Sequence, residues 1–261
     1  METMLISEKN MSKKYSDSLD FQQVKLIAYT QPNLDLVSED SIAFSKIKDM
    51  QDLVAFCARV SNPSNQFNME TADKLIKYLI NNQHWSPLEM VSMCLEINTT
   101  RDIARQLLRH RSFSFQEFSQ RYADPTKELD FVFRETRLQD TKNRQNSIEI
   151  DDEELDTWWH EQQEQVINLV RSIYKRAIQK GIAKEQARAI LPEGNTVSRL
   201  YMNGTVRSWV HFIQLRSGNG TQKEHMMIAR LCAEVIAKAF PMMLELDRKS
   251  TRLNSSHVKR S

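Results

Sequence analysis

Residues 109–122 read RHRSFSFQEFSQRY. Arg109, His110 and Arg111 stand side by side. Phe113 and Phe115 then alternate with Ser112, Ser114 and Gln116, the two-residue period of a strand with one face buried. Just upstream, RDIARQLLRHR (101–111) has helical spacing, which predicts a helix with Arg101, Arg105 and Arg109 on one face. Like charges at i and i+4 repel, so an anion such as a phosphate would relieve that face through the bidentate guanidinium fork. In extended chain Glu117, Ser119 and Arg121 share a face. An acceptor, a hydroxyl and a cation in that order suit a nucleotide's ribose and phosphate. Plainer readings stay open: a basic helix face neutralised by carboxylates elsewhere, and an exposed polar strand.

Working outward, VKLIAYT (24–30) predicts a first strand. MQDLVAFCARVS (50–61) and TADKLIKYLINN (71–82) predict helices, the first stopped by NPSN. HWSPLEM (84–90) predicts a turn around Pro87, and VSMCLEINTT (91–100) a strand. Residues 123–148 are polar and irregular, a lid or a linker. A long helix over 150–181 opens on acidic residues that complement its dipole and closes at Gly181. A short helix spans 183–192, a strand 196–204, and helices 205–220 and 221–241. The expected architecture is one mixed α/β domain over residues 21–246, a central sheet flanked by helices. Residues 1–20 read as a mobile segment, and the basic tail 247–261 as disordered and non-native.

The formal net charge of +2 over 261 residues gives no general attraction to nucleic acid, so any anion site must come from local clustering. Cys57, Cys94 and Cys232 form no CxxC pair, and the six histidines are scattered, which argues against a metal site. Unpaired cysteines, no membrane-length apolar run and no signal-peptide core point to a soluble cytoplasmic protein. The P-loop, GxGxxG and GxSxG patterns are absent, and no Cys or Ser has a triad setting. In the 205–220 helix, Arg207, His211 and Gln214 form a polar stripe on an otherwise apolar element, which by itself is just the wet side. Arg216 suits the C-terminal dipole of that helix, and Arg188 alone carries little.

Taken together, these segments resemble the flavin-dependent thymidylate synthases. That family's signature is RHR, seven residues, then Ser; here it is Arg109-His110-Arg111, SFSFQEF, then Ser119, continuing through Gln120, Arg121 and Tyr122. HWSPLEM resembles the family's His-x-Thr-Pro-x-Glu turn, ARAILP its Ala-Arg-x-x-Leu-Pro segment, and VRSWVHFIQLR its Arg-Ser helix ending in Leu-Arg. The motifs follow in order over residues 24–241.

The resemblance implies reductive methylation of dUMP to dTMP, with methylenetetrahydrofolate as carbon donor and NADPH as reductant through bound FAD. It implies that Gln106, Leu107, Leu108, Arg109, Glu117, Phe118, Ser119, Gln120, Arg121, Arg188 and Arg216 hold dUMP. Ser86, Glu89, Arg109, His110, Arg111, Glu117, Thr205, Val206, Arg207 and His211 would hold FAD. Arg216 would favour ionisation of the uracil, and His84 would act as a gate or proton handler. A homotetramer with shared active sites is implied, with no nucleic-acid or membrane partner. Gln116, Thr205 and His211 depart from the family's usual Asn, and Ser86 from Thr. A degenerate member that binds dUMP without turnover, and an Arg-rich nucleic-acid binder, are the alternatives.

Overall fold

The computed structural model describes residues 21–33, 45–218 and 220–246; the segments 1–20 and 247–261 read as mobile and disordered lie outside them. Four strands, β1 (Gln23–Tyr29), β2 (Ser92–Thr100), β3 (Ser114–Glu117) and β6 (Val197–Thr205), form an antiparallel sheet in the order β1-β2-β6-β3. β4 (Arg137–Gln139) and β5 (Ser147–Glu149) make a separate two-stranded hairpin. The helices are α1 (Met50–Ala58), α2 (Ala72–Asn81), α3 (Arg101–Leu107), α4 (Pro125–Glu128), α5 (Glu153–Gln179), α6 (Lys184–Ala187), α7 (Val206–Arg216) and α8 (Lys223–Ile236). No helix among the described residues is long and apolar enough to cross a membrane.

Alternation sets the faces of the sheet. Met93, Leu95 and Ile97 of β2 and Leu200 and Met202 of β6 point into one core, where they meet Trp209, Phe212 and Ile213 of α7 and Ile228, Cys232 and Ile236 of α8. The Trp209 indole N–H donates to the carbonyl of Met93 at 3.3 Å, so the largest buried side chain leaves no orphan donor. β6 runs straight into α7, and the Thr205 hydroxyl caps that helix by accepting from Ser208 N–H at 3.3 Å. Opposite, Phe113 lies over Gly204. A Cβ on Gly204 would stand 2.6 Å from Cε1 of that ring, which explains the glycine in a strand interior.

Three expectations are corrected. α3 stops at Leu107, because Arg109 N–H and His110 N–H turn back to the carbonyls of Gln106 and Leu107 at 3.3 and 3.0 Å. Arg109 therefore does not share a helix face with Arg101 and Arg105. The turn lets Phe113 enter the core, its ring 4.7 Å from that of Trp209. β3 pairs with β6 only through Glu117, and a turn closes where Tyr122 N–H meets the Ser119 carbonyl at 3.1 Å. Ser119 and Arg121 thus leave the strand face. Finally, residues 123–148 are more than a linker. Phe131 bridges Thr196, and Phe131 and Phe133 join Ile167, Tyr174, Ala187 and Leu191 in a second apolar cluster, ahead of the β4–β5 hairpin.

Candidate active site

The turn after α3 and the exposed stripe of α7 face each other. Between them opens a cleft of about 660 Å³ lined by Gln83, Trp85, Arg109, His110, Arg111, Ser112, Arg207, Ser208, His211 and Gln214. Sequence-distant motifs therefore supply three guanidiniums and two imidazoles to one concavity. The first turn of α7 adds the positive end of its dipole. Ser208 Oγ donates to the carbonyl of Ser112 at 3.1 Å and pins the two walls together. Gln83 reaches the cleft from a backbone φ of +58°, a left-handed conformation uncommon for a residue with a Cβ. Arg207 pairs with Glu89 at 3.0 Å, which brings the HWSPLEM turn to the rim.

Arg216 contacts the cleft wall by donating Nε–H to Nε2 of His110 at 3.1 Å. That bond needs a neutral imidazole with its proton on Nδ1. Burial, then the charges of Arg216 and His211, hold the His110 pKa down at about 4, so the ring stays neutral near pH 7. Arg216 is itself lowered, by burial and then by Arg109, yet a guanidinium remains a cation. Behind His110 lies His225 of α8, fully buried, with ring centroids 6.1 Å apart. His225 pairs with Gln106, and Gln106 Nε2 donates to Gln222 Oε1 at 2.7 Å. Sequence reading missed His225, which sits within an ordinary amphipathic helix pattern.

A second group surrounds α3. Glu117 accepts from Ser198 Oγ at 2.8 Å and lies 3.5 Å from Arg101 and 3.9 Å from Arg105, while Arg105 also reaches Glu193 at 3.5 Å. The plainer reading of the basic face holds for these two arginines, which carboxylates within the fold neutralise. Burial lowers the Arg101 pKa, and the nearby charges of Arg105 and Arg188 push the same way. Arg121 pairs with Glu185 at 3.3 Å, and Gln120 is buried with Nε2 unpartnered among the described residues.

Of the residues singled out in the sequence, the cleft wall gathers Arg109, His110, Arg111, Arg207 and His211. Glu89, Thr205 and Arg216 touch that wall through Arg207, Ser208 and His110 respectively. Glu117 and Arg188 belong to the α3 cluster, and Ser119 lies in the turn beyond β3. His84 is exposed and packs edge-on to Tyr78, and Ser86 opens the exposed turn; neither lines the cleft. Leu107 and Val206 have side chains fully buried in the core, and the Val206 amide donates to the Val91 carbonyl at 3.0 Å. Leu108 is partly buried at the end of α3, and the Phe118 amide donates to Arg199 at 2.8 Å.

The family model described as Thymidylate synthase complementing protein matches residues 43–242. A probable flavin-dependent thymidylate synthase of Paramecium bursaria Chlorella virus 1 is 46% identical over 217 residues, covering 83% of this chain and 94% of that protein. This chain belongs to the flavin-dependent thymidylate synthase family. The flavin-dependent thymidylate synthase of Synechocystis sp. is 47% identical over 218 residues, covering 84% of this chain and 95% of that one. The fold is shared with the UMP/dUMP methylase PolB of Streptomyces cacaoi, solved with 5-Br dUMP, at a TM-score of 0.70 and 24% identity over 89% of this chain and 95% of that one.

A flavin-dependent synthase needs a place for a dianionic pyrophosphate and a ring system. Arg109 and Arg111, free of ion pairs among the described residues, line the cleft together with Trp85 and could hold such a group. Burial raises the thiol pKa of Cys57, Cys94 and Cys232 alike, so none is poised as a nucleophile near neutral pH.

Proposed function

We propose that this chain methylates dUMP reductively to dTMP as a homotetramer in the cytoplasm, with methylenetetrahydrofolate as carbon donor and NADPH as reductant. The observation that carries the reading is the convergence of Arg109, His110 and Arg111 with Arg207 and His211 on one cleft, with Arg216 bonded to its wall through His110. Exposed Trp158, Val166 and Leu169 on α5 support association between copies.

In this reading Arg109, Arg111 and Arg207 hold the FAD pyrophosphate, with His211 as a further donor. Glu89 keeps Arg207 extended until the anion arrives. FAD, when bound, supplies the hydride that NADPH provides. Arg216 lies beside the uracil and favours loss of its N3 proton, which raises electron density at C5. C5 then gains the methyl carbon and loses its proton. Neutral His110 accepts from Arg216 and fixes the guanidinium edge without competing for charge. Gln106, Glu117, Phe118, Ser119, Gln120, Arg121 and Arg188 hold dUMP, and His84 serves as a gate or proton handler. The paired state of Arg101 and Arg105 speaks against nucleic-acid binding along α3, because those charges are already met.

The test is the visible spectrum of the purified protein with added FAD, then NADPH and dUMP under anaerobic conditions, then methylenetetrahydrofolate. Flavin bands that bleach with NADPH, followed by dTMP formation, support the reading. A protein that binds no FAD overturns it, and dUMP binding without flavin reduction points to the degenerate alternative.

A further inference from the structure

Gln106 carries an amide whose two ends differ only in hydrogen-bonding sense, so something must decide which end faces which way. In this fold both ends are engaged. Nε2 donates to Gln222 Oε1 at 2.7 Å, and Oε1 lies 3.1 Å from Nδ1 of His225. Gln222 precedes α8 and His225 lies in its first turn, so one helix start grips the amide from both sides. A carbonyl oxygen can only accept, so His225 must carry its proton on Nδ1. The opposite tautomer would turn the Gln106 amide over, and the bond to Gln222 would survive only by turning that amide over as well.

His225 is otherwise a poor core residue. It is fully buried and its Nε2 has no hydrogen-bond partner among the described residues, although Phe212 and His110 pack around the ring with centroids at 5.9 and 6.1 Å. An orphaned buried acceptor costs stability that an aliphatic side chain would not. Burial, with Arg216 and His110 nearby, keeps the ring neutral, so it is a fixed donor and not a proton carrier.

We propose that His225 is a positioning residue for substrate binding: its Nδ1–H locks the Gln106 amide, with Gln222, in the orientation that receives the pyrimidine nucleotide. The inference rests on Gln106 holding dUMP, as in the reading above.

Three variants of the full chain test it, with dUMP affinity read by calorimetry and KM and kcat by turnover. The side-chain amide of His225→Asn overlies Nδ1 and can still donate to Gln106. His225→Gln places its amide where Nε2 stood and cannot. His225→Leu donates nothing. The expected result is dUMP affinity within about threefold of the parent for Asn and about tenfold weaker for Gln and Leu, with KM rising and kcat at saturation retained. In a Gln106→Ala background His225→Leu should add no further loss. Should Leu fail to fold, the contrast between Asn and Gln decides. Equal affinity in Asn and Gln, or losses that add in the double variant, overturns the proposal. A parent protein that binds no dUMP overturns the functional reading instead, so the two failures are distinguishable.

Discussion

Arg216, at the end of α7, donates to Nε2 of His110, three residues past the end of α3, across 3.1 Å. The contact joins the two motifs that define the cleft, and it holds only while His110 is neutral. Its pKa of about 4, and that of about 3 for His225, set the sign of a pH effect.

Both imidazoles titrate near 6.5 in the unfolded chain, so as pH falls below 6.5 the unfolded state takes up protons that the native state refuses. Native stability therefore falls from pH 6.5 towards 4, and these groups contribute no slope above 6.5. Melting temperatures from pH 7.5 to 4 should show the decline, and His225→Leu should make it shallower. An identical profile for the variant would remove His225 from the account.

Glu224 is fully buried in α8 and meets Arg134 at 3.4 Å and Arg137, while Arg134 also pairs with Asp102. Glu224→Leu removes the carboxylate that two enclosed guanidiniums share, leaving Arg134 with Asp102 alone and Arg137 with Glu135 at 3.7 Å. Urea unfolding should show a loss of about 3–5 kcal/mol. A near-neutral result would mean that water reaches the pair.

Gly204→Ala drives a methyl into the Phe113 ring, which Trp209 and Phe212 hold edge-on. The expected cost is about 1–3 kcal/mol in chemical denaturation. Adding Phe113→Leu should recover part of it, since the smaller side chain vacates that space.

Arg207→Ala removes one cleft guanidinium and leaves Glu89 unpaired at the rim. FAD affinity, followed by its visible bands, should fall by about tenfold or more. Glu89→Gln should lower it less, because the cation remains.

Cys57→Ser and Cys94→Ser should leave dTMP formation unchanged, since burial disfavours either thiolate. Loss of turnover with binding intact would indicate covalent attack on the uracil.

The sequence by itself determined the elements with strong periodicity. The alternation of SMCLEINTT, the amphipathic runs of α2 and α5, the stop at Gly181 with its φ of +82° and the Pro87 turn are local properties, encoded by neighbours along the chain. The RHR signature and its companion segments were equally legible, as was the family. Only the tertiary structure decided which arginines are free. Arg101, Arg105 and Arg109 look equivalent by spacing, but Glu117 and Glu193 neutralise the first two, and the chain turns Arg109 away into the cleft. Likewise FVF at 131–133 carries no periodic signal, and becomes core because Ile167 and Tyr174 of a distant helix cover it. His225 shows the same limit most plainly. Nothing beside it in the chain distinguishes a packed histidine from one that grips Gln106, because a hydrogen bond between residues far apart in sequence exists only once the fold brings its two ends within reach.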